Sequence, residues 1–256
     1  MNVNLAAQVF RKRWLRFAGA AALPALLLFV GCASGPVAPT SRGEAPSAPM
    51  TSSELAQSDV NRMATLGMRE NLDSLLRLAD KLYRRNPAEW RKGSASRDAA
   101  LEKLRAAVAG LTGWTDLQGR RDIAALSLAL GPEFRGDRVA AFVYASADML
   151  VTAHGGKTAF YLTDHLDAQY VYNAARNIEI AVWMLSNRKN AVGQPLLLAD
   201  EISERERNLS FEREFGKIIG RLDLLSVVLT EKYRRAVITY VQNLLGGTFL
   251  QFLPVR

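Results

Sequence analysis

The sequence predicts an all-α protein, built as a single bundle of about six helices with no sheet. Apolar residues recur three or four positions apart over long stretches, which is the spacing of one face of a helix. Capping residues precede these stretches, and glycine or proline follows most of them. No run of alternating apolar and polar residues indicates a strand.

The first 31 residues have the pattern of a secretory signal peptide. Four basic residues, at positions 11, 12, 13 and 16, precede an uncharged apolar stretch from about residue 17 to residue 30. An uncleaved membrane anchor is the alternative for this segment. The stretch is shorter than the roughly 20 residues that a spanning helix needs, and Pro24 lies inside it. A cleaved signal peptide is therefore the favoured interpretation of residues 1–31.

The apolar stretch ends in Leu28-Phe29-Val30-Gly31-Cys32, where Cys32 is the only cysteine of the chain. This ending resembles the lipobox of bacterial lipoprotein precursors, with Phe29 in a position that is usually leucine. The resemblance implies cleavage after Gly31, lipidation of Cys32 and attachment of the mature chain to a membrane. In Gram-negative lipoproteins the next residue contributes to sorting. Ala33 in this position favours, by the same resemblance, the outer membrane facing the periplasm.

Composition excludes several classes of function. Loss of residues 1–31 removes four cations and no anion, which lowers the formal charge from +8 to +4. The remaining charges are interspersed, so no nucleic-acid partner is expected. With Cys32 acylated, no thiol remains for catalysis, for a disulfide or for a cysteine metal site. No metal or other cofactor is predicted.

Residues 32–50 are predicted to form a tether between the lipidated cysteine and the folded domain. They are rich in proline, alanine, serine and glycine, a composition that cannot bury enough apolar surface to order itself. At about 3 Å per residue, such a segment reaches roughly 50 Å. The folded domain is predicted to occupy residues 51–256.

Within residues 51–256, six helices are predicted, most of them from a capping residue to a glycine or proline stop. They are expected from Thr51 to Asn86, from Ser96 through Val108, from Thr115 to Gly131, from Asp137 to Gly155, from Thr163 to Asn187 and from Ser203 to Gly246.

The fifth of these segments, 163–187, is apolar around most of its circumference. One broad face runs from Leu166 to Leu185, and Ile180 and Trp183 extend the apolar character around the far side. A helix that is apolar nearly all round is usually central and buried. The sequence therefore predicts that this helix lies at the centre of the bundle.

Polar residues on the same segment form the candidate site. They are Asp167, Tyr170, Asn173, Arg176, Asn177 and Glu179. Asp167 and Asn177 are expected to project into the apolar face, where each unpaired polar group costs about 1–3 kcal/mol. One solution is a structural network, in which Arg176 pairs with Glu179 and with a carboxylate from another helix. The other is a ligand cleft lined by members of this group. Structural networks are the commoner case.

The two histidines, His154 and His165, flank the turn before this helix, with Asp164 and Asp167 beside the second. Converging imidazoles and carboxylates could hold a metal or transfer protons. Metal ligands on a helix usually lie one turn apart, however, and Gln169 stands one turn after His165. A capping and turn role is therefore favoured over a functional site here.

These features predict a membrane-anchored extracytoplasmic lipoprotein that acts as a structural or protein-interaction module of the cell envelope, with another envelope protein as its partner. The alternative is a helical lipoprotein that binds a small ligand or a lipid. A carboxylate-dependent cell-wall enzyme is less favoured, because Asp167 and Glu179 would lie about 18 Å apart along one helix, too far to act together. No catalytic residue is predicted.

Overall fold

The computed structural model describes residues 51–202 and 207–250 of the chain. The described residues belong to one compact unit that begins at Thr51. The predicted signal peptide, Cys32 and the tether lie outside the described residues. The described helices are α1 Asp59–Arg85, α2 Pro87–Trp90, α3 Arg97–Gly110, α4 Asp122–Ala129, α5 Arg138–Ala153, α6 Ala168–Asn187 and α7 Ser210–Leu250, with 3₁₀ turns at Ser52–Ala56 and Thr115–Leu117.

The all-α prediction is confirmed. The extended structure found among the described residues is small. Strand β1 (Glu201–Ile202) pairs antiparallel with β2 (Arg207–Asn208), with Glu201 opposite Asn208, just before α7 begins. Lys189 and Pro195 form one further isolated bridge. Helix packing therefore accounts for the core.

Helix α5 lies at the centre of the domain. All but three of its sixteen residues are buried, and it packs against α1, α3, α4 and α6. Four fully buried alanines, Ala140, Ala141, Ala145 and Ala147, leave room for close approach of the neighbouring helices. The Phe142 ring meets the Phe215 ring of α7 edge to face, with ring centroids 6.3 Å apart.

Helices α6 and α7 pack against each other in opposite directions. Arg176 of α6 contacts Asp223 of α7, whereas the earlier residue Leu166 contacts the later residue Tyr233. The other side of α7 packs on α1. Its buried residues recur every three or four positions from Phe211 to Leu229, as the periodicity of the sequence predicts.

A buried arginine closes the start of α5. The Arg138 side chain donates hydrogen bonds to the carbonyl oxygens of Ala129 (2.9 Å), Gly131 (2.6 Å) and Phe134 (2.9 Å), and a longer one to Pro132 (3.4 Å). These carbonyls belong to the end of α4 and to the following turn, where no helical partner is available. One guanidinium thus bonds four backbone carbonyls, among them those of the buried residues Ala129 and Phe134.

Several predicted helix limits agree with the structure. Ser96 Oγ accepts a hydrogen bond from the Ala99 amide (3.1 Å), and Asp137 Oδ1 accepts one from the Ala140 amide (3.0 Å), as N-caps do. Helix α1 ends at Arg85, just before Pro87. The turn after α5 contains Gly155 and Gly156, which both have a left-handed backbone (φ 73° and 76°) that favours glycine.

Other predicted starts were wrong. Helix α1 is capped by Ser58 rather than by Thr51, because extended backbone at Gln57 separates it from a short 3₁₀ turn. The predicted helix from Thr115 is divided, because Gln118 and Gly119 adopt left-handed backbone; only Asp122–Ala129 is α-helical. The last helix begins at Ser210 rather than at Ser203, because the β1–β2 pair precedes it. Ser203 itself lies outside the described residues.

Candidate functional site

Arg176 is the centre of the polar group that the sequence predicts on α6. Its Nη2 atom lies 2.9 Å from both carboxylate oxygens of Asp223 on α7 and 3.0 Å from Glu179 Oε1. The side chains of these three residues are 37%, 41% and 45% exposed, so the ion pairs are at the surface. Arg176 Nε is buried and has no hydrogen-bond partner among the described residues. The arrangement joins α6 to α7.

The sequence predicted that Asp167 projects into the apolar face of α6, and this prediction was wrong. Helix α6 begins at Ala168 and Asp167 is its N-cap; one carboxylate oxygen accepts hydrogen bonds from the amides of Gln169 (2.7 Å) and Tyr170 (3.3 Å). The predicted cap residue Asp164 instead accepts from the Tyr161 amide (2.9 Å) and pairs with Lys157 in the preceding turn. Since α6 begins at Ala168 rather than at Thr163, Asp167 occupies the capping position.

The six predicted residues do not converge on one site. Tyr170 is 61% exposed, and Asn173 accepts a hydrogen bond from Gln169 (2.8 Å) on the outside of α6. Asn177 is half-buried. Arg176 and Glu179 are paired through their side chains, and Asp167 and Tyr170 are joined only by the capping bond from the Tyr170 amide. A groove of about 370 Å³ does run between α6 and α7, but its lining residues are others: Ala168, Gln169, Tyr172, Ser226, Val227, Thr230 and Glu231.

The exposed face of α6 carries a line of large side chains, two of which, Ile180 and Trp183, the sequence predicted to be buried. Tyr172, Arg176, Ile180 and Trp183 follow one another at helical spacing, and we refer to them as the α6 stripe. Ile180 is 41% exposed and Trp183 is 60% exposed, so the prediction of a central α6 was wrong. The Arg176 guanidinium lies 5.0 Å from the centre of the Tyr172 ring, a cation–π distance.

Tryptophan, tyrosine and arginine are the residue types that contribute most to protein–protein binding. The α6 stripe presents all three together on a helix that the core holds in place from behind through Val171, Ala174 and Ile178. Two carboxylates, those of Glu179 and Asp223, face the single cation of Arg176, so the stripe presents aromatic and apolar surface without net positive charge. The groove beside it, with Tyr172 and Val227 on its walls, adds a concave edge.

No protein-family model, curated protein or solved structure matches this chain. Only the residues of the α6 stripe therefore indicate what it could bind.

A second concave region lies where α1, α3 and α5 meet. This cavity of about 240 Å³ has Tyr83, Trp114 and Asp137 among its lining residues. Tyr83 donates a 2.7 Å hydrogen bond to Asp137 Oδ2, while the other carboxylate oxygen caps α5. Burial raises the pKa of Asp137 and, together with the nearby carboxylate, that of Tyr83. Both carboxylate oxygens are thus occupied by structural bonds.

The two histidines do not form a common site either. His154 is buried, with its Nδ1 atom 2.8 Å from the Leu150 carbonyl and its ring 5.7 Å from the Phe160 ring, whereas His165 is exposed. Burial lowers the pKa of His154. Among the described residues, no group of three or more histidine, cysteine or acidic side chains is arranged to hold a metal ion. The described helices include none that is long and apolar enough to cross a membrane.

Proposed function

We propose that the protein is a lipid-anchored extracytoplasmic lipoprotein that acts as a protein-interaction module of the cell envelope. The lipobox-like residues before Cys32 and the proline-rich segment 32–50 support the anchor and the tether. By the sorting resemblance of Ala33, the anchor belongs in the outer membrane and the domain faces the periplasm.

The exposed α6 stripe is the observation that carries the interaction role. Isolated exposed apolar residues are common on soluble domains, but a tryptophan, a tyrosine and an isoleucine aligned on one helix with a stacked arginine form a contiguous surface. The partner that fits is a second envelope protein with an apolar pocket for Trp183. A polar rim around that pocket would meet Arg176 and Glu179.

The test is crosslinking in intact cells with a photoactivatable phenylalanine analogue in place of Trp183. The matched control carries the analogue in place of Val192, which is 77% exposed in the loop after α6. We expect one or a few envelope proteins to be captured from the Trp183 position and not from the Val192 position. Cys32→Ser, which removes the anchor, should abolish that capture.

The same proteins captured from both positions would contradict a role for the α6 stripe. Capture that persists with Cys32→Ser would contradict a need for the lipid anchor. A small molecule retained by the purified domain, with no specific protein captured, would instead favour the ligand-binding alternative. With the analogue placed at Tyr172 instead, Trp183→Ser should also lose the capture, and urea denaturation of that variant beside the parent shows that the domain remains folded.

A further inference from the structure

The second half of α7 extends beyond the helices that it packs against. The Tyr233 hydroxyl donates a 3.0 Å hydrogen bond to the Leu166 carbonyl, just before α6 begins at Ala168. From Lys232 to Leu245 every residue is exposed. These 14 residues, which we call the α7 tip, extend for about 20 Å.

The α7 tip is amphipathic although none of the other described helices covers it. At about 100° per residue, its large apolar side chains share one side of the helix. They are Tyr233, Val237, Ile238, Tyr240, Val241, Leu244 and Leu245, which are between 39% and 69% exposed. Most of the polar side chains share the opposite side: Lys232, Arg235, Thr239, Gln242 and Asn243. The exception is Arg234, which stands on the apolar side and pairs with Glu231. This is the pattern of a helix that lies between a polar and an apolar phase.

Charge is segregated along the same segment. Glu231 is the last acidic residue of the sequence, and residues 236–255 carry no charge at all. Glu231 pairs with Arg234 at 2.6 Å, whereas Lys232 and Arg235 form no ion pair with a described residue. Residues 231–235 carry three cations and one carboxylate, so a net charge of +2 stands at the base of an uncharged apolar helix. Their complement is a surface with a high density of negative charge next to an apolar layer.

We propose that the α7 tip binds the surface of a phospholipid bilayer that contains anionic headgroups. Val237 and Val241 enter the boundary of the acyl chains, Tyr240 lies at headgroup level, and Lys232 and Arg235 contact phosphate groups. A second copy of the chain is less suitable, because parallel pairing of two tips would place their cations side by side. The binding does not require the lipid on Cys32, so it can be tested independently of the proposed anchor.

The test uses the chain from Thr51 onward, which contains the whole described core and forms a compact unit of its own. Sedimentation with vesicles of phosphatidylcholine containing about one third phosphatidylglycerol is compared with sedimentation with pure phosphatidylcholine. We expect binding to the anionic vesicles that weakens as salt is raised, and at least tenfold weaker binding to the neutral ones.

Two double variants separate the two contributions. Lys232→Gln with Arg235→Gln should weaken binding to anionic vesicles about 30-fold, and Val237→Ser with Tyr240→Ser at least tenfold. The matched controls change residues that are equally exposed elsewhere: Arg69→Gln with Arg105→Gln, and Leu55→Ser with Val192→Ser. These controls should bind as the parent chain does.

Because the chain from Thr51 onward has no cysteine, single spin labels report the depth of the α7 tip. A label at Val241→Cys should become accessible to oxygen and protected from a polar quencher on vesicle binding, while one at Asn243→Cys stays at the headgroups. Equal binding to neutral and anionic vesicles, or no binding to either, would overturn the proposal. So would a dimer in solution that Val237→Ser with Tyr240→Ser dissociates while vesicle binding is unaffected.

Discussion

Arg176→Met decides between the two roles that the sequence allowed for the polar residues of α6. Its two ion pairs are to carboxylates about 40% exposed, and exposed pairs of this kind contribute between nothing and about 1 kcal/mol each. The buried Nε atom without an acceptor offsets part of that gain. We therefore expect Arg176→Met to lower the free energy of unfolding by about 1 kcal/mol or less.

The same substitution at Arg138 supplies the comparison. That guanidinium is buried and donates to four backbone carbonyls, three of them at 2.9 Å or less. Each buried acceptor left without a donor costs about 1–3 kcal/mol, and the costs are not fully additive. Arg138→Met should therefore lower the free energy of unfolding by about 3–5 kcal/mol, which corresponds to a fall in Tm of about 10 °C for a domain of this size.

Urea denaturation of the chain from Thr51 onward, followed by circular dichroism, measures both variants. If Arg176→Met costs more than about 2 kcal/mol, the ion pairs are a structural network and the α6 stripe is not a free surface. If Arg138→Met costs less than about 1 kcal/mol, the carbonyls that Arg138 bonds do not lose the free energy expected of buried acceptors without a donor. Arg105→Met, at an exposed position of α3, should change nothing beyond about 0.5 kcal/mol.

Three further predictions concern the core and its turns. Burial lowers the pKa of His154 in the folded chain, so the stability that this residue contributes is present above its ordinary pKa, about 6.5, and is lost as pH falls below it. The urea midpoints at pH 7.5 and at pH 5.5 should therefore differ less in His154→Gln than in the parent chain. Equal differences in the two chains would contradict this prediction. Gly136→Ala should destabilise the domain by about 1–3 kcal/mol, because the new Cβ would lie 2.6 Å from Asp116 Oδ2. Gly67→Ala, in open space on α1, should instead stabilise the domain by about 0.5–1 kcal/mol. Thermal unfolding should show a lower Tm for the first variant and a higher Tm for the second. Phe142→Ala should cost about 3–5 kcal/mol in urea denaturation, and a cost below about 1.5 kcal/mol would show that α5 and α7 repack freely.

Local chemistry made part of the fold predictable. Ser96 and Asp137 cap their helices through bonds to amides three residues away, so the signal and its effect lie in the same short segment. The start of α1 could not be read in this way, because Thr51 and Ser58 were both suitable caps. The Gln57 side chain donates to the Phe160 carbonyl, 103 residues away, and this contact belongs to the tertiary fold.

Which of the apolar helices is buried could not be predicted from the sequence either, because this too depends on the tertiary fold. The segments that became α5 and α6 are both apolar around most of their circumference, but only α5 has neighbours on every side. Ile180 and Trp183 are exposed because the bundle places nothing over them. In the candidate site, the pair between Arg176 and Glu179 follows from their spacing of three residues. Asp223 could not be identified, since it lies 47 residues away on another helix.

The length of α7 fixes a distance. The 41-residue helix has no break between the part under α6 and the tip, so its rise of about 1.5 Å per residue sets Tyr240 about 20 Å beyond Val227, beside the α6 stripe. If both proposals hold, the helix keeps the proposed protein-binding face and the proposed membrane-binding tip at a fixed distance from each other. Seven residues inserted after Glu231 would lengthen it by about 10 Å with little rotation of the tip, whereas two would turn the apolar side about 160° away. The direction of the tip, and not its reach alone, would then determine whether both surfaces are occupied together.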